Sequence, residues 1–179
     1  AFVESIWDEY IKGDDPVFDQ DTIVNIGTDE YDGQYTEQFR KFTDDLLAYI
    51  QDNGNTVRLW GSLTARSGST SVRSEGVQMN IWNDGWANPK AMYQQGYDLI
   101  DMNDGRVYIV PAAGYYADYL SRQSMYNYDP ATRMGVPSGS EQTLGGAYAI
   151  WNDMVDQRAN GLTEMEIYDR FNDAAPYYA

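Results

Sequence analysis

Between Thr22 and Trp60 a short apolar run, a long amphipathic stretch and a second apolar run follow one another, which limits the chain to few architectures. Thr22-Ile23-Val24-Asn25-Ile26 reads as a buried strand ending at Gly27-Thr28. A helix is expected from about Thr36, because Phe39, Phe42, Leu46, Leu47 and Ile50 fall on one helical face. Asn53-Gly54 stops it, since glycine accepts the left-handed backbone that follows a helix. Thr56-Val57-Arg58-Leu59-Trp60 is the next strand. Strands separated by a crossover helix run parallel, and repeats of that unit build an α/β fold.

The alternation continues through Val77-Gln78-Met79-Asn80-Ile81-Trp82, Tyr97-Asp98-Leu99-Ile100-Asp101-Met102 and Ala147-Tyr148-Ala149-Ile150-Trp151, the last following Gly145-Gly146. A short helix is expected near Pro89, a residue suited to a first turn. The last helix starts at Thr163, with Glu166 completing a capping box and Leu162 and Ile167 at the staple positions. Trp7, Tyr10 and Ile11 suggest a helical lead-in, and residues 61–76 form a long polar loop of a kind that is often functional. The 179 residues suffice for one domain, read here as 1–179. Several strands end in acidic or aromatic residues: Asp29-Glu30, Trp60, Trp82 and Trp151-Asn152-Asp153. In (β/α)8 barrels those carboxyl ends form the active face, although five strands do not close an eight-stranded barrel.

Composition narrows the chemistry. The chain has neither Cys nor His, which removes disulfides, thiolates, the usual general base and the commonest zinc ligand. Acid–base work then rests on Asp, Glu, Tyr or Lys. The formal charge of −16 opposes nucleic-acid and anionic-lipid partners, and no apolar run is long enough for membrane insertion. An acidic, Cys-free chain rich in Tyr, Asn and Gly fits an extracellular or cell-surface bacterial protein. Its 16 Tyr and 5 Trp suit sugar surfaces, as they also suit cores and protein interfaces.

Glycosidic cleavage commonly uses two opposed carboxyl groups. Asp29 and Glu30 are adjacent, and neighbours on a strand point to opposite faces. At a strand end leading into a loop, both can turn to one pocket with different tasks. The plain alternative is a solvated acidic turn.

The residues around that pair carry a resemblance. Asn25-Ile26-Gly27-Thr28-Asp29-Glu30 resembles the His-x-Gly-Gly-Asp-Glu signature of family 20 glycoside hydrolases, which include β-N-acetylhexosaminidases and lacto-N-biosidases. Val57-Arg58-Leu59-Trp60 and Val77-Gln78-Met79-Asn80-Ile81-Trp82 are similar to the family strands whose Trp residues border the sugar. Leu99-Ile100-Asp101-Met102 with Arg106-Val107-Tyr108 resembles the strand and loop that bring the active-site Tyr. Residues 145–153 resemble the last barrel strand, with a Trp and, two residues on, a carboxylate.

The resemblance implies an α/β fold that is a partial (β/α)8 TIM barrel, about strands 4 to 8, from the C-terminal part of a catalytic domain. It implies substrate-assisted catalysis, in which the 2-acetamido oxygen of the substrate attacks C1 and no metal or organic cofactor is needed. Glu30 would be the general acid and then the base for water, and Asp29 would orient the acetamido N–H. Tyr108 would donate to the acetamido oxygen, with Tyr116 its rival because Tyr116-Ala117-Asp118 resembles the family's Tyr-x-Asp pattern. Trp60, Trp82 and Trp151 would wall the pocket, and Asp153 would accept from sugar hydroxyls. Barrel core is the plain alternative for the Trp residues, and a cap for Asp153.

Three departures stand beside the resemblance. Asn25 replaces the usual His, and Val110 occupies the place of an Asp two residues after Tyr108. The first barrel strands and their sugar-binding Arg have no counterpart here. The expected partners are a glycan ending in N-acetylhexosamine and either the missing N-terminal half or a second copy. A pocket admitting a disaccharide such as lacto-N-biose would suit Val110. A non-catalytic glycan-binding or self-associating half-barrel is the alternative.

Overall fold

The computed structural model of the protein describes residues 2–154, 156 and 161–178. The chain divides between Leu99 and Ile100 into two compact units.

The first unit opens with helix α1 (Phe2–Ile11) and strand β1 (Val24–Asn25). β1 is shorter than the run 22–26, because Thr22 is tied into a turn by Asp19 and its carbonyl accepts from Asn55. A 3-10 turn at Gly33–Tyr35 leads into helix α2 (Thr36–Asp52), followed by strands β2 (Val57–Trp60) and β3 (Val77–Ile81). Helix α3 (Pro89–Gln94) starts at the expected Pro89 and is capped by Asn88, and strand β4 (Asp98–Asp101) leaves the unit. The order is β1-β2-β3-β4, with β1, β2 and β3 parallel and Val24, Val57 and Val77 in register.

Helix α2 covers this sheet with Phe39, Thr43, Leu46, Leu47 and Ile50. Phe42, expected on that face, is 42% exposed, and Thr43 takes the inward place. Spacings of four, three and four residues from Phe39 through Thr43 and Leu46 to Ile50 keep one side of the helix turned inward, with Phe42 on its flank.

The loop 61–76 is fastened to α2 by three charged residues at i, i+3 and i+7. Glu37 accepts from the amides of Ser69 (2.7 Å) and Thr70 (2.9 Å) and from the Thr70 hydroxyl (2.5 Å). Arg40 donates to the carbonyls of Thr70 (2.5 Å) and Arg66 (2.9 Å). Asp44 accepts from the Arg73 amide (2.8 Å) and pairs with its guanidinium (3.0 Å). A long loop needs its polar backbone groups satisfied, and here one helix face supplies the partners.

In the second unit the end of β4 lies beside strand β6 (Thr143–Gly146), while strand β5 (Tyr108–Ile109) pairs in parallel with strand β7 (Ala149–Ile150). Of the expected strand 147–151 only Ala149–Ile150 is strand, and Gly145 and Gly146, expected to precede it as glycines, end a separate strand of their own. The chain changes partners between the two strands. The Ala147 amide donates to the Asp101 carbonyl (2.8 Å), but Ala149 and Trp151 donate to Val107 and Ile109 (3.0 Å each).

Helices α4 (Arg122–Tyr126) and α5 (Pro130–Met134) carry their own caps, Ser121 and Asp129. Helix α6 (Glu164–Ala174) has the expected capping box, Thr163 and Glu166 each accepting from the other's backbone amide. A buried carboxylate anchors this unit. Asp101 is fully buried and takes a two-pronged ion pair from Arg133 (2.6 and 3.0 Å), the Tyr128 hydroxyl (2.8 Å) and the Asn103 amide (3.2 Å). Burial pushes the Asp101 carboxyl up, and Arg133 opposes that shift. Removing one partner of such a pair typically costs about 3–5 kcal/mol, because a charge is left buried and unmatched.

The Glu37 clamp sets a pH dependence. The Thr70 hydroxyl first, then the Ser69 and Thr70 amides, hold the Glu37 carboxyl at about 2, below the ordinary 4.5. The folded value is the lower one, so the stabilisation is complete above pH 4.5 and is lost as pH falls through about 2. Amide resonances of Ser69 and Thr70 should titrate near pH 2 in NMR, and that dependence should vanish in Glu37→Gln. A midpoint near 4.5 would mean the clamp is not formed.

Candidate active site

The acidic pair lies where β1 gives out. The ladder runs two residues past the strand: Ile26 donates to the Arg58 carbonyl (2.9 Å), and the Trp60 amide donates to Gly27 (2.8 Å). The backbone then leaves the strand through left-handed conformations at Gly27 (φ 75°), Thr28 (φ 73°) and Glu30 (φ 51°). Such values are free for glycine but cost of the order of 1–3 kcal/mol elsewhere, most for a β-branched residue such as Thr28. Asn25 supports the turn by accepting from the Gly27 amide (2.9 Å), which gives the residue standing in the signature's His position a structural task. Asp29 and Glu30 are both exposed on the resulting loop, outside the strand, so the opposite-face rule for strand neighbours does not govern them.

Trp60, half-buried at the end of β2, is one hydrogen bond from that turn. Trp82 follows β3 and is only 8% exposed. Its indole N–H donates to the Gly61 carbonyl (3.0 Å), and its ring stacks on Trp86 at 5.9 Å. Gly61 is required here, because a Cβ would stand 2.5 Å from the Ala87 methyl.

The second unit gathers the other candidates. Tyr108 opens β5 and is 5% exposed. Its ring meets Trp151 at 5.7 Å and the edge of Tyr116 at 6.1 Å. Trp151 follows β7 and is 38% exposed. The Tyr116 hydroxyl donates to Asp104 (3.0 Å). Asp153 joins the cluster through Tyr115, whose hydroxyl donates to it (3.2 Å) and whose ring stands edge-on to Tyr116 at 5.4 Å. Tyr108, Tyr116, Trp151 and Asp153 are thus contiguous. Val110 is buried core, and Asp118 of the rival Tyr-x-Asp pattern is held by Arg170 (3.0 and 3.1 Å).

Sequence reading passed over Asp104, Arg66 and Trp86, and met Tyr115 only as the neighbour of Tyr116, with no role of its own. A signal existed for the region that holds two of them. Asn83-Asp84-Gly85 after β3 and Asn103-Asp104-Gly105 after β4 form the same turn, each Asn accepting from the glycine two residues on (2.9 and 3.2 Å). A repeated Asn-Asp-Gly after two parallel strands marks two corresponding strand ends. Among the described residues no three acidic side chains converge as metal ligands would.

Tyr115 offers a direct check on this cluster. Loss of hydration, then the Asp153 hydrogen bond and charge, push its hydroxyl above the ordinary 10. In NMR of ring-labelled tyrosines, Asp153→Asn should move the Tyr115 titration back toward 10. An unchanged titration would show that the two side chains do not meet.

The sequence matches the family model of the glycosyl hydrolase family 20 catalytic domain over residues 8–176. No curated protein matches the chain. Among solved structures, it is similar to the tandem family 20 catalytic modules of the pneumococcal exo-β-D-N-acetylglucosaminidase, with a TM-score of 0.60 and 18% identity over 87% of this chain and 43% of that one. A β-N-acetylhexosaminidase from Bacteroides fragilis gives 0.59 and 18%, over 87% and 35%. The enzyme of that name from Streptomyces coelicolor gives 0.58 and 20%, over 82% and 30%. The chain spans less than half the length of each. The likeness is one of fold: an α/β chain forming part of a (β/α)8 barrel.

Proposed function

The chain belongs to glycoside hydrolase family 20, and from that membership we propose that it forms the C-terminal part of a barrel releasing β-linked N-acetylhexosamine from the non-reducing ends of glycans. The observation that carries the proposal is the exposed Asp29-Glu30 loop at the end of a parallel strand, hydrogen-bonded to the backbone of Trp60 on the next.

The proposed chemistry uses the substrate's own nucleophile. Glu30 protonates the glycosidic oxygen as the acetamido oxygen attacks C1, and the leaving sugar departs with that proton. Asp29 accepts from the acetamido N–H and offsets the positive charge of the resulting oxazolinium ring. Tyr108 donates to the acetamido oxygen. The Glu30 carboxylate then takes a proton from water as the water oxygen attacks C1 and reopens the ring, so the configuration is retained. A nucleophile carried by the substrate needs no second carboxylate across the sugar ring, so the adjacent Asp29 and Glu30 can serve one site. Trp60, Trp82 and Trp151 supply apolar ring surface, and Asp153 accepts from sugar hydroxyls. With Val110 in the place of the family's Asp, one sugar-hydroxyl contact is missing, which fits a disaccharide substrate such as lacto-N-biose. The acidic, Cys-free composition suits a bacterial enzyme at the cell surface or outside it.

Unmet surface in each unit supports association with the remaining barrel strands or with a second copy. β1 is an outer strand of the first unit and β6 of the second. Phe2, Ile6 and Tyr10 form an exposed row on α1, and Met165, Tyr168 and Phe171 another on α6. Open strand edges and apolar rows of this kind favour pairing.

Two measurements test the proposal. With a chromogenic N-acetyl-β-D-glucosaminide, Glu30→Gln should lower kcat by about 100-fold or more, since general acid catalysis is worth about 10²–10⁴. A wild-type turnover that Glu30→Gln leaves intact overturns the acid assignment. Glycan binding that survives Glu30→Gln, with no wild-type turnover, selects the non-catalytic glycan-binding module. In sedimentation, the chain alone should self-associate, and a well-folded monomer at high concentration counts against pairing.

A further inference from the structure

The carboxyl of Glu30 can act as an acid only if its loop holds one conformation, and the loop has no secondary structure to hold it. Its backbone is left-handed at Thr28 and Glu30, a state that persists only where the surroundings impose it. One side chain from elsewhere in the first unit grips it. The Arg66 Nε donates to the carbonyl of Tyr31, the residue after Glu30. The guanidinium carbon lies over Trp86, 4.5 Å from the ring centroid, and Trp86 is stacked on Trp82. Arg66 is itself fixed at both backbone ends: its amide donates to Ser62 (2.9 Å), and its carbonyl accepts from Arg40 (2.9 Å). The Tyr31 ring is pinned from the other side by stacking on buried Phe39 at 5.3 Å.

We propose that Arg66 is the positioning residue for Glu30: stacked on Trp86, it holds the Tyr31 carbonyl and thereby fixes the backbone from which the carboxyl projects. The inference rests on the assignment of Glu30 as the acid. A planar guanidinium suits the task because it stacks and donates at once, whereas a lysine ammonium donates without the planar stack. Arg66 does not touch the reacting atoms, so its effect falls on kcat and leaves KM nearly unchanged.

The experiment compares Arg66→Ala and Arg66→Lys with the wild-type chain. In Arg66→Ala, NMR shifts of residues 28–32, above all the Tyr31 carbonyl carbon, should move or broaden, while those of α2 and β2 stay in place. Arg66→Lys should recover part of the wild-type pattern. Turnover in Arg66→Ala should fall about 100-fold, the loss expected from misplacing a reacting group by about 1 Å, with KM within twofold. Unchanged shifts at residues 28–32 overturn the inference whether or not the chain turns over substrate. So does a shift change that spreads through α2 and β2, because it reports unfolding and not positioning. Failure of the acid assignment is read separately, from Glu30→Gln in the same assay.

Discussion

Everything in the first unit that bears on its acidic loop depends on a closed circuit of charged hydrogen bonds. The loop at residues 28–32 leads into α2. Glu37, Arg40 and Asp44 on α2 clamp the long segment 66–73, and Arg66 in that segment returns to the Tyr31 carbonyl. Hydrogen bonds with an ionised partner are stronger than neutral ones, and each of these also satisfies a backbone group that loops leave open. The circuit gives an irregular segment the order that a strand has from its ladder. It also explains why a long loop and a strained turn coexist: each supplies what the other lacks.

The second unit achieves order differently, by burying a charge. Asp101 has no access to solvent and is matched by Arg133, Tyr128 and a backbone amide from three separate segments. Such a centre specifies one arrangement of α5, the turn before it and β4, because any other leaves the carboxylate unmatched. On that base the short β5–β7 pair presents Tyr108 and Trp151 from adjacent strands. The two units thus reach defined surfaces by opposite means, exposed charge pairing in one and buried charge pairing in the other.

The strand–helix alternation was legible because each strand carries buried apolar residues (Val57 and Leu59, Val77, Met79 and Ile81, Leu99 and Ile100), and 57–60, 77–81 and 98–101 all fall inside the runs read from the sequence. Capping was legible at Thr163 and Pro89 because those signals are local. The separate strand β6 and the shortening of 147–151 to β7 were not, since they depend on which strand each amide meets and not on the run itself. Phe42 and Thr43 show the same limit on a helix: a hydrophobic count favours Phe42, but the orientation of α2 on its sheet turns Thr43 inward. In the candidate site, Asp29, Glu30 and Trp151 stood out as acidic or aromatic residues at strand ends, and Tyr108 came from the family resemblance alone. Arg66, Trp86 and Tyr115 did not stand out, because their roles come from contacts between segments far apart in the chain.

The close approach at Gly61 has a consequence for how the sequence can drift. The Trp82 indole, the end of β3 and the turn carrying Ala87 all converge on a residue with no side chain. A methyl at position 61 would need the space now filled by the methyl of Ala87. Residues 61 and 87 therefore share one atom's worth of room, and a side chain at 61 needs Ala87 to give up its methyl. Among descendants of this chain a residue larger than glycine at 61 should appear only with a change at 87.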